Sequence, residues 1–244
     1  NDGAWHEAAR HAARLGVNTI VLVARASENV ATRPLTLRDA ALLSRLVPAV
    51  AAFSPVVQSP QTVSGPGGMH PADVIGVTAA YFGIRHLPVE RGRVLHGNDD
   101  DTRARVCVIS ARVAGRLFGN APALGGRLRI GRDWYRVVGL LADDGAMTVL
   151  IPLSALTPRA TLLYPEQTAD AIWLRIADHR VADAAAAIRQ ALQRTDRALA
   201  SYDVLVARDL LENRDRTQRT FSIVTRLTAA LLFLLGGVAI TNMM

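Results

Sequence analysis

The nearest approach to a catalytic motif in this chain is His6-Glu7-Ala8-Ala9-Arg10-His11. A zinc protease needs His-Glu-x-x-His, which puts two histidines on one helix face at i,i+4. Here the spacing is i,i+5, and at about 100° per residue the two rings point roughly 140° apart. They cannot share one metal on a straight helix. His70, His86, His96 and His179 stand singly in predicted loops, with no G-x-S-x-G and no Cys-His signature to supply a nucleophile. Cys107 is the one cysteine, so no intrachain disulfide can form. Its setting, Val106-Cys107-Val108-Ile109, reads as a buried strand, where a thiol serves as a small hydrophobe. Asn98-Asp99-Asp100-Asp101 offers consecutive carboxylates. An EF-hand needs them at alternate positions with a glycine at the sixth and a glutamate at the twelfth, so a solvated turn is expected. Gly65-Pro66-Gly67-Gly68 lacks the GK[ST] of a phosphate loop and joins strands instead of opening a helix. No Asp or Glu pair is singled out for acid–base work. No catalytic, cofactor-binding or metal-binding residue is assigned.

Composition narrows the classes further. All 28 basic residues are Arg. Without Lys there is no P-loop lysine, no Schiff base and no Ser-x-x-Lys pair. The net charge of +7 suits nucleic acid, but the arginines are interleaved with Asp and form no dense run. Nucleic acid is therefore not an expected partner. Trp134, Tyr135 and Trp173 fall on predicted strands and read as core or inter-subunit packing.

The apolar pattern sets out the elements that would position these residues. An Ala-rich helix over 3–15 ends at Gly16, and Val17–Val23 follows as a strand buried on both faces. Thr36 opens a helix through Leu46, with Asp39 as its capping-box partner and Pro48 beyond its end. Ala49–Gln58 reads as a strand interrupted by Pro55, and Gln61–Val77 as a hairpin about the glycine-rich turn. A short helix or turn over Thr78–Gly83 and an extended piece within Pro88–Val94 come next. Arg105–Ile109 is a strand, and Ser110 caps a helix to Phe118 with Gly119 past its end. Gly126–Ile130 and Trp134–Leu141 are strands joined at Gly131-Arg132-Asp133. Asp143-Asp144-Gly145 turns into a strand over Val149–Leu153. Ile172–Ile176 and Tyr202–Val206 are strands about a helix over Val181–Arg194, whose apolar face is Ala184, Ala187, Ile188, Ala191 and Leu192.

The last stretch differs in kind. From Leu227 to Met244 there are 18 residues without a charge, about 27 Å as a helix against a bilayer core of roughly 30 Å. A buried core helix would also be apolar, but the expected reading is a transmembrane helix cut short, the chain being a piece of a longer protein. Asn1 is no initiator Met, and no signal peptide precedes the first charges. A helix from Arg208 runs into this stretch, with Glu212–Arg216 and Asp215–Arg219 as favourable i,i+4 pairs. Together with Arg214 these residues form the expected stalk, the coupling site of the chain. Gly236 and Gly237, with Thr241 four residues after the latter, form the expected packing face in the membrane.

The ends of the chain thus alternate strand and helix, while the middle is mostly strand. The expected fold class is α+β: one α/β unit over 1–75 and 151–207, a β-rich subdomain inserted over 76–150, a stalk helix over 208–226 and the start of a membrane helix over 227–244.

Several segments in this order resemble the extracytoplasmic domain of MacB/FtsX-type ABC transporter permeases. They are Leu15-Gly16-Val17-Asn18-Thr19-Ile20, Val74-Ile75-Gly76-Val77 with Tyr81-Phe82, Arg91-Gly92-Arg93-Val94, and Val106–Ile109 running through Ala114 to Leu117-Phe118-Gly119. Leu124-Gly125, Leu128-Arg129-Ile130, Val137–Leu140, Ile151-Pro152-Leu153 and Leu235–Met244 follow. The resemblance implies a porter-like α/β subdomain with a β-rich insertion, placed between the first and second of four membrane helices. It implies a bacterial inner-membrane location with this domain on the periplasmic or extracellular side. The implied role is mechanotransmission: ATP-driven motion crosses the membrane to export or extract a substrate. The implied partners are a cytoplasmic ABC ATPase domain or subunit and a second permease copy, as homodimer or heterodimer. In the macrolide-exporter branch a periplasmic adaptor and an outer-membrane channel join them. No cofactor and no catalytic residue are implied in this domain. The alternatives from other classes are a ligand-sensing domain of a membrane receptor and a membrane-anchored enzyme.

Overall fold

Thr36 begins the first described helix as its sequence suggests. In this computed structural model, which describes residues 18–24, 35–143, 145–156, 168–177, 180–195 and 202–206, helix α1 spans Leu37–Leu46. The Thr36 hydroxyl accepts from Asp39 N at 3.3 Å, and Asp39 Oδ2 accepts from Thr36 N at 2.9 Å. Two of the helix's orphan N-terminal donors are satisfied reciprocally. Ala40 and Leu43 then face the core.

Strand β1 (Thr19–Ala24) lies between β11 (Ala171–Ile176) and β12 (Tyr202–Val206), antiparallel to both. That central place explains its run of apolar residues: Ile20, Val21, Leu22 and Val23 are all buried. β11 pairs in turn with β3 (Val50–Gly65). One face of this four-stranded part is covered by α1 and by α5 (Val181–Thr195), which buries Val181, Ala184, Ala185, Ile188 and Leu192. The contact face of α5 is centred on the Val181–Ala185–Ile188–Leu192 row, so Ala187, expected inside, is exposed. β2 (Leu35–Thr36) and β10 (Thr168–Ala169) form a separate short pair.

The middle of the chain closes on itself. β3 pairs with β4 (Gly68–Val77), β4 with β9 (Thr148–Pro152), and β9 with β6 (Val106–Ser110). β6 pairs with β8 (Asp133–Leu141), β8 with β7 (Arg127–Ile130), and β7 returns to β3 through Val63↔Ile130 and Ser64↔Arg129. Six strands therefore make a closed ring, a small barrel filled by side chains. Its core holds Val63, Val74, Cys107, Ile109, Leu128, Tyr135, Val137, Val149 and Ile151. β5 (Val89–Gly92) lies outside the ring, extending along β8 where β7 has ended. Helix α4 (Ala111–Phe118) contributes Val113, Leu117 and Phe118 to the barrel core. It starts at Ser110, whose side chain accepts from Val113 N at 3.3 Å. The β3–β4 turn leans on α4: Gly67 N donates to the Leu117 carbonyl at 2.7 Å. A side chain at Gly67 would collide with the Arg116 carbonyl oxygen.

Pro55 does not interrupt β3, contrary to expectation. The strand runs through Pro55 and Pro60 for 16 residues because each proline sits where it has a neighbour on one side only. β11 accompanies β3 over Val50–Val56, β4 over Val56–Gly65, and β7 only at Val63 and Ser64. A missing N–H is tolerated where no ladder bond is needed on that side. Among the described residues, β3 is thus the one strand that belongs both to the open sheet and to the barrel. Arg208–Met244 form a second unit and lie outside the described residues.

Candidate functional site

The residues expected to act as a coupling stalk, Glu212, Arg214, Asp215, Arg216 and Arg219, and those expected to pack in the membrane, Gly236, Gly237 and Thr241, all lie outside the described residues. The same holds for His6 and His11. Among the described residues, no helix is long and apolar enough to cross a membrane. Nor do three or more His, Cys, Asp or Glu side chains gather where they could hold a metal. Among the described residues, one set of polar and charged groups lies where the open sheet meets the barrel.

Three fastenings make that joint. In the first, Ser54 on β3 is fully buried. Its hydroxyl accepts from Thr78 Oγ1 at 2.9 Å and from Thr78 N at 3.3 Å. The β3–β4 register ends at Val56↔Val77, so this side-chain link extends the pairing past the last ladder residue. In the second, helix α2 (Ala80–Arg85), reached directly from β4, packs on the open sheet. The Tyr81 and Trp173 rings meet edge to face at 5.6 Å and 73°. The buried Arg85 guanidinium lies 5.2 Å from the Trp173 ring centre and 5.6 Å from that of Tyr81, and Nη1 donates to the Tyr81 hydroxyl at 2.9 Å. Its Nε makes no hydrogen bond. Aromatic faces stand in for a carboxylate here, each such contact contributing roughly 0.5–2 kcal/mol.

The third fastening holds the exit from the barrel. The acidic run expected to be a solvated turn is a short helix, α3 (Gly97–Asp101), and its Asp99 is buried. Asp99 accepts from Arg93 Nη1 at 2.6 Å, from Arg93 Nη2 at 2.9 Å and from His96 N at 2.8 Å. The Arg93 hydrogen bonds, helped by the His96 N–H, hold the Asp99 carboxyl below the usual carboxylate range in spite of partial burial. Next to it, Asp100 Oδ1 accepts from Ser154 N at 2.8 Å, and Ser154 Oγ donates to the Asp100 carbonyl at 2.6 Å. Ser154 lies in the turn Leu153–Ala155 that follows β9. The Tyr135 hydroxyl donates to the Ala155 carbonyl at 2.9 Å from the barrel wall. The chain leaves the barrel clamped on two sides. An acid three residues after His96 is a helix-start signal that points to Asp99. No local signal links Asp100 to Ser154, 54 residues away.

Cys107 sits fully buried in the barrel, and burial alone pushes its thiol far above the ordinary range. That is the setting of an inert packing group. Trp173 and Tyr135 are buried as expected of core residues, whereas Trp134 is exposed.

Residues 3–191 match the family described as the MacB-like periplasmic core domain. The chain belongs to that family. Among curated relatives of this MacB-like domain, the pyoverdine export ATP-binding/permease protein PvdT of Pseudomonas syringae pv. tomato is 28% identical over 254 aligned positions. The alignment covers 100% of this chain and 38% of that protein, so the chain spans well under half of the relative's length. Among solved structures, the periplasmic region of MacB from Actinobacillus actinomycetemcomitans superposes with a TM-score of 0.69 at 18% identity, over 83% of this chain and 95% of that one. The extracellular domain of the noncanonic ABC-type transporter YknZ from Gram-positive bacteria gives 0.62 at 21% identity, over 77% and 100%. These two establish the fold, a mixed α/β domain of the MacB type. The chain is a MacB-like periplasmic core domain.

Proposed function

We propose that this domain is a moving part of an ABC exporter: it receives ATP-driven displacement through a helical stalk and passes it to the outer side, where a substrate is exported or extracted. The observation that carries this reading is the family match over residues 3–191. The joint supports it physically. A part that transmits displacement needs continuity between its halves, and β3, a single strand of 16 residues, runs from one to the other. The working domain plan is a porter-like subdomain over 1–75 and 151–207, a β-rich insertion over 76–150, a stalk over 208–226 and a membrane helix from 227. In this plan the β3–β4 hairpin is the wall shared by the two subdomains. Glu212, Arg214, Asp215, Arg216 and Arg219 stiffen the stalk by i,i+4 pairing, each pair contributing a few tenths of a kcal/mol. Gly236, Gly237 and Thr241 let membrane helices approach closely.

The partners of this reading are an ATPase domain or subunit and a second permease copy, with an adaptor and an outer-membrane channel in the branch that spans two membranes. The name of the Pseudomonas relative joins ATP binding and permease in one protein and concerns export of pyoverdine. A fused ATPase and a pyoverdine-like cargo are therefore the first alternatives to test for the protein that carries this domain. The receptor reading has no support among the relatives, which are transporters. The test is a Gly-Gly-Ser insertion after Arg214 in the whole permease. ATP hydrolysis should continue while export falls toward background, with folding kept. Export equal to wild type would sink the lever idea.

A further inference from the structure

One face of the barrel wall is built at odds with its own stability. Leu128, Ile130, Tyr135 and Val137 point into the barrel and are buried, so strand alternation puts Arg127, Arg129, Trp134 and Arg136 on the outside. Arg127 stands directly opposite Arg136 in the β7–β8 register. Like charges in that position destabilise a ladder. Among the described residues no carboxylate pairs with Arg127, Arg129 or Arg136; Asp133, on the same hairpin, is bonded to Arg105 at 3.0 Å. Arg129 sits in a lateral row that crosses four strands, Met69–Ser64–Arg129–Trp134. Its Nε donates to Ser64 Oγ at 3.3 Å. At the ends of this row Met69 is 65% and Trp134 54% exposed. At the Met69–Ser64–Arg129 part of this row lies a shallow groove of about 330 Å³, lined by these three with Gln61, Thr62 and Gly131, and Trp134 stands beside Arg129 outside that lining.

We propose that this face docks a polypeptide partner whose contact segment carries carboxylates flanking an apolar side chain. Exposed Trp and Met beside arginines are the residue types that concentrate binding energy at protein interfaces. Three guanidinium groups with no acid among them complete their pairing only when a partner supplies the acid. A second copy of this chain would bring arginines against arginines. Ser64 Oγ is already bonded to Arg129 and the Gln61 amide to Ser59 Oγ, so in the groove it is the Thr62 hydroxyl that a peptide backbone would engage. This docking role does not depend on the mechanical reading, since a domain that transmits no motion could still bind.

The test uses the full chain in detergent and a fluorescein-labelled 12-residue peptide of alternating Glu and Ser with one central Leu, read by fluorescence anisotropy. Trp134→Ala should weaken binding about fivefold or more, and the loss should vanish with the Leu→Ser peptide. Arg127→Glu places opposite charges in register with Arg136. It should raise the denaturation midpoint while weakening peptide binding, a pairing of effects that a purely structural role does not produce. Arg116→Glu on α4 should leave binding unchanged. The proposal is overturned if Arg116→Glu weakens binding as much as Arg127→Glu, which would mean bulk charge alone. It is overturned equally if phosphatidylglycerol vesicles bind with the Trp134 dependence and the peptide does not. A loss of self-association in Trp134→Ala, with peptide binding intact, would also overturn it, because the occupant would then be a second copy.

Discussion

Asp99 gathers three donors on one carboxylate, and its chemistry fixes the pH range over which it helps. The bidentate Arg93 pair and the His96 N–H all favour the ionised form, so its folded-state pKa is depressed. A group depressed in this way contributes stability that is present above its unfolded pKa, near 4, and is lost as pH falls through the folded value. Asp99→Asn should therefore cost about 1–2 kcal/mol at pH 7. That lies around the bottom of the range for charge-assisted hydrogen bonds, because the Arg93 side chain is 37% exposed and screened. In urea titrations at pH 7 and pH 3 the gap between wild type and variant should narrow at the lower pH; a constant gap would show that charge is not the source. Cys107 makes the opposite case, a reactive residue type disarmed by its position. With burial raising its pKa, a thiol reagent at pH 8 should leave it unmodified in the folded chain and label it fully in denaturant. Fast labelling of the native protein would mean that the barrel opens readily.

Among the elements, β5 depends most on a single backbone conformation. Gly92 ends it with φ of 83°, and an added Cβ would lie against the Val138 carbonyl oxygen and the Leu124 side chain. Gly92→Ala combines left-handed strain with that collision and should cost about 2–4 kcal/mol, measured as a lowered denaturation midpoint; a change under about 0.5 kcal/mol would mean that the β5–β8 edge simply moves away. The start signals of α1 and α4 and the β3–β4 turn were all legible in the sequence, because each rests on residues within four positions: Thr36 with Asp39, Ser110 with Val113, Gly65 with Gly68. What was not legible rests on distance along the chain. β7 is four residues long and closes the barrel by meeting β3 at only two positions, Val63 and Ser64. Nothing local in Arg127–Ile130 marks that role. Pro55 read as a break because the sequence does not show that β3 changes neighbours there. The solvated reading of Asn98–Asp101 failed for the same reason: the partners that bury Asp99 and hold Asp100 are side chains and backbone brought in by the fold. The proposed coupling stalk, Glu212 to Arg219, rests on the sequence pattern alone.

At the scale of the molecule, the shared strand makes a prediction that a plain two-subdomain plan does not. Among the described residues, two of the hydrophobic clusters share no residue: one around Ile172, Leu174 and Ile188 in the open sheet, the other around Cys107, Val137 and Ile151 in the barrel. Were the halves joined by a linker, each would melt by itself, as neighbouring domains commonly do. Here β3 is a structural strand of both, Ser54 and Thr78 bond across the point where it passes from one to the other, and α2 leaves the barrel to pack on Trp173. Loss of the open sheet would strip β3 of β11 and α2 of its support. Loss of the barrel would strip it of β4 and β7. Neither half can unfold without exposing apolar surface belonging to the other, so the described part should unfold as one cooperative unit. Ile172→Ala in the first core and Ile151→Ala in the second each remove a fully buried side chain, and each should cost about 2–5 kcal/mol. Both should shift the same single transition, seen alike by the fluorescence of the buried Trp173 and by far-ultraviolet circular dichroism. If Ile151→Ala instead splits the transition and leaves the Trp173 signal where it was, the halves are energetically independent. The joint would then be a hinge, and displacement entering one half would be absorbed there instead of reaching the other.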